Sequence, residues 1–141
     1  MPASPPSAPP SREWRDWPLT AGAWRYQAEG ASTTAIFGVT GAPAVLTFRC
    51  ELPTRRIIFV PGTAPGAGQM TVRTTFGSVQ WPLQPSPASS PQFIAVRAAG
   101  DAALDQIAFS RGRFLIEVPG ASPMVLPTWA EITRVVEDCR G

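Results

Sequence analysis

Along much of the chain, apolar and polar residues alternate, and this period of two predicts β-strands. In one such segment Leu46, Phe48 and Cys50 fall on one face, whereas Thr47 and Arg49 fall on the other. Comparable runs recur between stretches rich in glycine, proline and serine. We predict strands at residues 23–29, 33–39, 44–50, 55–60, 70–76, 78–83, 92–98 and 113–118.

Two features refine the strand pattern around residue 80. Gly77 separates two of the predicted strands and indicates a tight hairpin between them. Pro82 has no backbone N–H group to donate to a neighbouring strand. We therefore expect the segment 78–83 to lie at a sheet edge, or Pro82 to lie at the end of its strand.

The apolar spacing changes to threes and fours in two places, which predicts helices. The first is a short helix near 101–109, with Asp101 as its N-cap. The second lies near 128–139, where Thr128 and Glu131 have the spacing of a capping box. The residues predicted to form the buried stripe of the second helix are Trp129, Ile132, Val135, Val136 and Cys139.

These elements predict the α+β class with one globular domain over residues 13–141. We expect an antiparallel β-sandwich or roll of about seven strands, with the C-terminal helix packed against it. The 17 prolines and 12 glycines agree with many short elements joined by turns.

Residues 1–12 are rich in proline, serine and alanine and have no periodic apolar residues. We interpret them as a disordered Pro-rich leader, which serves either as a tether or as a chain end without a role. The opening Met1-Pro2 followed by this composition suggests a processed form. A removed N-terminal segment would then have been a possible membrane tether.

The chain has two cysteines, and both are predicted to face inward: Cys50 on its strand and Cys139 on its helix. We predict a disulfide bond between them, and the alternatives are two separately buried thiols or a metal or catalytic use. A structural disulfide requires an oxidising compartment. For a bacterial chain this predicts the periplasm or the cell surface.

Three stretches carry a resemblance to known proteins: "DWPLTAGAWRY", "DAALDQIAFSRGRFLIEVPG" and "LPTWAEITRVVEDCR". The chain resembles uncharacterised small secreted or lipid-anchored envelope proteins of alphaproteobacteria. More distantly, the order of strand with cysteine, short helix, strand and helix with cysteine is similar to that of the invasion-associated locus B family. The resemblance covers roughly residues 14–141, implies an envelope location and carries no residue roles.

Missing residue types limit the possible chemistry. The chain contains no histidine, lysine or asparagine, and so lacks the commonest general base and metal ligand. It has neither a G-x-S-x-G motif nor the lysine that a Ser–Lys arrangement needs. We therefore predict no catalytic residues, no cofactor and no metal, and a protein that is not an enzyme.

The charge favours neither nucleic acid nor an acidic membrane as a partner. The net charge is +2, and the twelve basic residues, all arginine, form no block along the sequence. Two aspartates four residues apart, Asp101 and Asp105, are the candidate ligands for a cation site. Two carboxylates alone are a poor one, and we interpret them as a helix cap and a surface charge.

Two groups of residues are candidates for a binding site. Ser110, Arg111 and Arg113 surround Gly112 and could hold a phosphate or carboxylate, although a helix end followed by a turn is the favoured interpretation. Trp14 and Trp17 are the best candidates for surface tryptophans that contact a partner.

These observations predict a non-catalytic envelope protein that acts as a binding or adaptor domain for another envelope protein or a cell-wall component. One alternative is a secreted inhibitor of a cell-wall hydrolase, which would present an exposed loop at 61–69 or 84–91. Another is a carrier of a small apolar ligand in the sheet interior.

Overall fold

The computed structural model describes residues 14–64, 66–87 and 92–141, so the predicted leader at 1–12 lies outside the described residues. The described residues form an antiparallel sheet of nine strands with two α-helices, which confirms the α+β class. The strands are β1 (Ala23–Glu29), β2 (Ser32–Gly38), β3 (Leu46–Glu51), β4 (Arg56–Pro61), β5 (Gly68–Thr74), β6 (Gly77–Pro85), β7 (Phe93–Ala98), β8 (Arg113–Glu117) and β9 (Met124–Pro127); the helices are α1 (Ala102–Ala108) and α2 (Ala130–Arg140).

The strands follow the order β1-β2-β3-β4-β7-β6-β5-β8-β9. The predicted hairpin joins β5 to β6, with Thr75 and Phe76 in the turn between paired Thr74 and Gly77. Strand β7 pairs with β6 only at the last two residues of β6, so β7 does not reach Pro82. The missing N–H of that proline is therefore compatible with a strand inside the sheet order.

The two outermost strands of this order meet, which curls the sheet into a roll. The indole nitrogen of Trp24 in β1 donates to the carbonyl of Pro127 in β9 at 2.8 Å. Just before β1, the backbone N–H of Thr20 donates to the carbonyl of Val125 at 2.9 Å. A single hydrophobic core accordingly contains side chains from all nine strands and both helices.

Strand β9 is an element that the sequence pattern does not mark. It is four residues long and fully buried, and it ends at Pro127. Its side chains do not alternate between apolar and polar because both of its faces are covered. Met124 and Leu126 join the main core, whereas Val125 packs in a second cluster on the opposite face.

Helix α1 begins where it was predicted to begin. The Asp101 side chain accepts a hydrogen bond from the backbone N–H of Ala103 at 2.8 Å, which confirms the N-cap. The other carboxylate oxygen of Asp101 lies 2.6 Å from the Arg97 guanidinium. The Asp105 carboxylate pairs with Arg140 at 2.7 Å. Each aspartate therefore has an arginine partner.

Helix α2 begins without the predicted capping box. The N-cap is Trp129, which makes no side-chain capping bond, and the hydroxyl of Thr128 is buried without a hydrogen-bond partner among the described residues. In a capping box, the Glu131 side chain would accept a hydrogen bond from the backbone N–H of Thr128. That N–H donates instead to the carbonyl of Gly112 and extends the pairing of β9 with β8. Trp129 is 44% exposed, so its predicted place on the buried stripe is also wrong.

The C-terminal end of α2 is fastened to the sheet. Cys50 and Cys139 are fully buried and form the predicted disulfide, with their Cα atoms 5.5 Å apart. The Arg55 guanidinium donates to the carbonyl of Cys139 at 3.1 Å, where it also complements the helix dipole. The Nε of Arg140 donates to the carbonyl of Ala99 at 2.8 Å. These contacts hold α2 against the first four strands and the start of α1.

A further contact joins α2 to β1. The Tyr26 hydroxyl donates to the Asp138 carboxylate at 2.5 Å, and the Arg134 guanidinium lies 3.9 Å from the centre of the tyrosine ring. The hydrogen bond to Asp138 is the main cause that raises the pKa of Tyr26 above its ordinary value of 10.0, and partial desolvation adds to it. Arg134 acts in the opposite direction.

Removal of the disulfide should destabilise the fold without changing its architecture. The bond closes a span of 89 residues, so the Cys50→Ala/Cys139→Ala variant should lose about 2–4 kcal/mol of unfolding free energy in urea titrations. Reduced wild-type protein is the control and should match the variant. An unchanged unfolding midpoint would contradict the prediction.

The tyrosine contact should be visible in a pH titration. The chain has one tyrosine, so the tyrosinate absorbance reports Tyr26 alone. We expect its pKa above 10.0, and Asp138→Asn should lower that pKa towards 10.0. Because the folded pKa is the higher one, the stabilisation is complete below the unfolded pKa near 10 and is lost as the pH rises through the folded pKa. Tyr26→Phe should lack this loss, and equal pKa values in wild type and Asp138→Asn would contradict the assignment.

Candidate functional site

The stretch from Ser110 to Arg113 forms the turn that leads from α1 into β8. Ser110 is 4% exposed, and its hydroxyl accepts from the backbone N–H of Thr75 at 3.1 Å and donates to the carbonyl of Arg113 at 2.6 Å. Gly112 has φ of +78°, a conformation that glycine adopts without strain. This geometry is that of a turn, which is the favoured interpretation of the stretch. The Ser110 hydroxyl already makes two hydrogen bonds within the protein.

The two arginines of this stretch have different surroundings. Arg113 is half-buried, and its guanidinium donates to the backbone carbonyl of Trp17, which ties the segment before β1 to β8. Arg111 is exposed, and only its backbone N–H is fixed here, by the hydroxyl of Thr75 at 3.2 Å. Arg111 is therefore the member of this stretch whose side chain can meet a ligand.

The prediction that Trp14 lies on the surface is wrong. Trp14 belongs to a short 3₁₀-helix, Trp14–Asp16, and is 6% exposed. It packs on Leu115 and Val125, which face away from the main core on β8 and β9. These two residues need an apolar cover of their own, and Trp14 supplies it. Trp17 is partly buried against the same cluster.

Burial of Trp14 places the next residue, Arg15, beside Arg111. The Arg15 guanidinium lies 5.6 Å from the centre of the Trp14 ring. Arg15, Thr75, Phe76 and Arg111 line an open recess of about 530 Å³. In the part of the chain that the structure describes, neither the Arg15 nor the Arg111 guanidinium has a carboxylate within 4.0 Å.

Two exposed phenylalanines lie on the segments that meet at this recess. Phe76 is 59% exposed at the tip of the β5–β6 hairpin, and Phe109 is 66% exposed at the C-cap of α1. Their chain neighbours, Thr75 and Ser110, are hydrogen-bonded to each other. We call Arg15, Phe76, Phe109 and Arg111 the Arg–Phe surface.

Sequence reasoning found Arg111 but missed both phenylalanines. The pattern placed Phe76 at the end of a predicted strand, and Phe109 at the last position of a predicted helix. A usable signal was the position of Phe76 directly before Gly77, because a large apolar residue in a hairpin turn has little chance of burial. No local feature of the sequence indicates that Phe109 is exposed.

A second recess with arginines serves the architecture instead. It is lined in part by Arg55, Arg56 and Arg97. The Arg55 guanidinium donates to the end of α2, and the Arg97 guanidinium pairs with Asp101 and lies 5.1 Å from the Trp81 ring centre. Two of its three arginines are thus engaged in holding the fold.

The interior of the roll is filled by side chains. Phe37, Phe48, Phe59 and Phe114 are among the largest of those that are fully buried. The rings of Phe48 and Phe59 meet edge to face with their centres 4.8 Å apart. Aromatic rings of the interior therefore pack directly against one another.

The segments proposed as inhibitory loops are short where they can be described. Strands β4 and β5 take up both ends of 61–69 and leave residues 62–67 between them. The other segment, 84–91, begins within β6, and its residues 88–91 lie outside the described residues.

A comparison with models of known protein families, with curated proteins and with solved structures finds no match to this chain.

Replacement of Ser110 should separate its structural role from a binding role. Ser110→Ala removes one partner from each of two partly buried hydrogen bonds and should lower the unfolding free energy by about 1–3 kcal/mol. Arg111→Gln is the control next in sequence and should change the unfolding free energy by less than about 0.5 kcal/mol, since its side chain is exposed. Urea titrations of both variants measure the difference, and equal stability of the two would contradict this role.

Proposed function

We propose that this chain is a non-catalytic binding or adaptor domain of the bacterial envelope. The observation that carries the proposal is the fully buried Cys50–Cys139 disulfide between the sheet and the closing helix. Structural disulfides persist in oxidising compartments, among them the bacterial periplasm and the cell surface. None of the helices in the described ranges has the length and hydropathy needed to cross a bilayer.

The Arg–Phe surface is the proposed binding surface. Arginine and aromatic residues are enriched where proteins contact partners, and exposed apolar surface marks such contacts. Phe76 and Phe109 have no packing role that accounts for them, since more than half of each side chain is exposed. The surrounding backbone is fixed by the bonds between Thr75 and the segment after α1.

The packed interior favours this proposal over a carrier of an apolar ligand. A carrier requires a cavity lined by apolar side chains, whereas the large aromatic residues of this roll are packed against one another. A binding function then belongs on the outside of the molecule.

The compartment is tested by trapping thiols in intact cells of the native source. Cells are quenched with acid, and the protein is alkylated under denaturing, non-reducing conditions before its intact mass is measured. We expect no alkylation of Cys50 or Cys139, because the bond forms and persists outside the cytoplasm. Alkylation of both cysteines would reject the envelope assignment.

The binding surface is tested on isolated envelopes. Wild-type protein should sediment with them, and Phe76→Ser/Phe109→Ser should sediment less by more than about tenfold. Val39→Ser is the matched control, since Val39 is 50% exposed in another part of the chain. Equal sedimentation of all three proteins would show that the Arg–Phe surface is not the contact.

A further inference from the structure

We infer that the Arg–Phe surface docks on an anionic lipid membrane. Headgroup phosphates would lie between Arg15 and Arg111, and the rings of Phe76 and Phe109 would enter the apolar layer beneath them. This inference rests on the proposed function and specifies what the binding surface recognises.

The positive charges of Arg15 and Arg111 in the Arg–Phe surface can contact an anion. Among the described residues, no carboxylate lies within 4.0 Å of the Arg15 or the Arg111 guanidinium. Arg15 and Arg111 line one recess, so both can approach the same group. Guanidinium groups bind phosphate oxygens through charge-assisted hydrogen bonds, which makes phosphate a fitting ligand.

The two rings stand on backbone that is already fixed. The N–H of Phe76 donates to the hydroxyl of Thr74 at 3.0 Å, and the N–H of Phe109 donates to the carbonyl of Asp105 at 2.8 Å. Insertion of the rings therefore requires little ordering of the protein. Apolar side chains bordered by basic ones are the composition that lies at a bilayer interface.

The positions of the rings favour a membrane over a protein partner. Phe76 is at the tip of a hairpin, and Phe109 is at the end of a helix, so the two rings stand on different elements. A standard protein interface buries about 800 Å² on each partner with matching shapes. A bilayer accepts separate rings without preformed pockets, and the negative potential of anionic lipids attracts arginine at the same depth.

The test is co-sedimentation with vesicles of phosphatidylcholine, with and without phosphatidylglycerol. Wild-type protein should bind the mixed vesicles at least about tenfold more tightly than the neutral ones, and added salt should remove most of this gain. Arg15→Gln/Arg111→Gln should weaken binding to mixed vesicles by about thirtyfold. Phe76→Ser/Phe109→Ser should weaken binding to both kinds of vesicle by more than about tenfold.

The matched control is Arg25→Gln/Val39→Ser, which changes an exposed arginine and an exposed apolar residue outside the Arg–Phe surface. It should bind like the wild type. Thermal unfolding of every variant shows whether the fold is retained, so that loss of binding is compared only among folded proteins.

Several outcomes would overturn the inference. Equal affinity for neutral and mixed vesicles would show that the arginines do not bind the anionic lipid. If the control variant lost as much vesicle binding as the variants of the Arg–Phe surface, that surface would not be the contact. Binding of inorganic phosphate in calorimetry, without binding to vesicles, would assign the recess to a free anion. Sedimentation with envelopes but not with lipid vesicles would reject the lipid and leave the proposed function standing, whereas failure of both assays would reject both.

Discussion

The covalent link between β3 and α2 is the contact on which the arrangement of the closing helix depends. Helix α2 has eleven residues and begins without a side-chain cap, and a helix of that length is marginal in water on its own. Its C-terminal turn is held by the Cys50–Cys139 bond, by Arg55 and by Arg140. The disulfide therefore fixes the C-terminal end of the helix, and the helix packs against the first four strands.

Closure of the roll is a separate constraint that shapes the candidate site. Trp24 joins the first strand to the last, and the segment before β1 lies over β8 and β9 through Thr20 and the bond from Arg113. Trp14 completes this cover by burying the outer face of the last two strands. This cover brings Arg15 to the recess that Arg111 also lines. The Arg–Phe surface is thus a product of the closed roll rather than of any single segment.

Much of the fold follows from local periodicity, and the exceptions have physical reasons. Cys50 and Cys139 could be placed facing inward because periods of two and of 3.6 each point to one buried side. At Thr128, the N–H group that would bond the Glu131 side chain in a capping box donates instead to the carbonyl of Gly112, a contact that local spacing does not encode. Trp14 is buried because β8 and β9 carry Leu115 and Val125 on the face away from the main core. An alternating pattern predicts only one apolar face for a strand. Exposure at the Arg–Phe surface likewise depends on which segments the roll brings together.

The order of the two cysteines along the chain also governs when the molecule can be completed. During synthesis, Cys50 emerges 89 residues ahead of its partner, when only the first three strands are available to shelter it. Until Cys139 is synthesised, Cys50 has no partner within the chain, and its thiol can react with oxidants or exchange with disulfides of neighbouring molecules. The disulfide can therefore form only after all nine strands have been synthesised. Its correct formation depends on how well the incomplete roll protects the Cys50 thiol until α2 has been made.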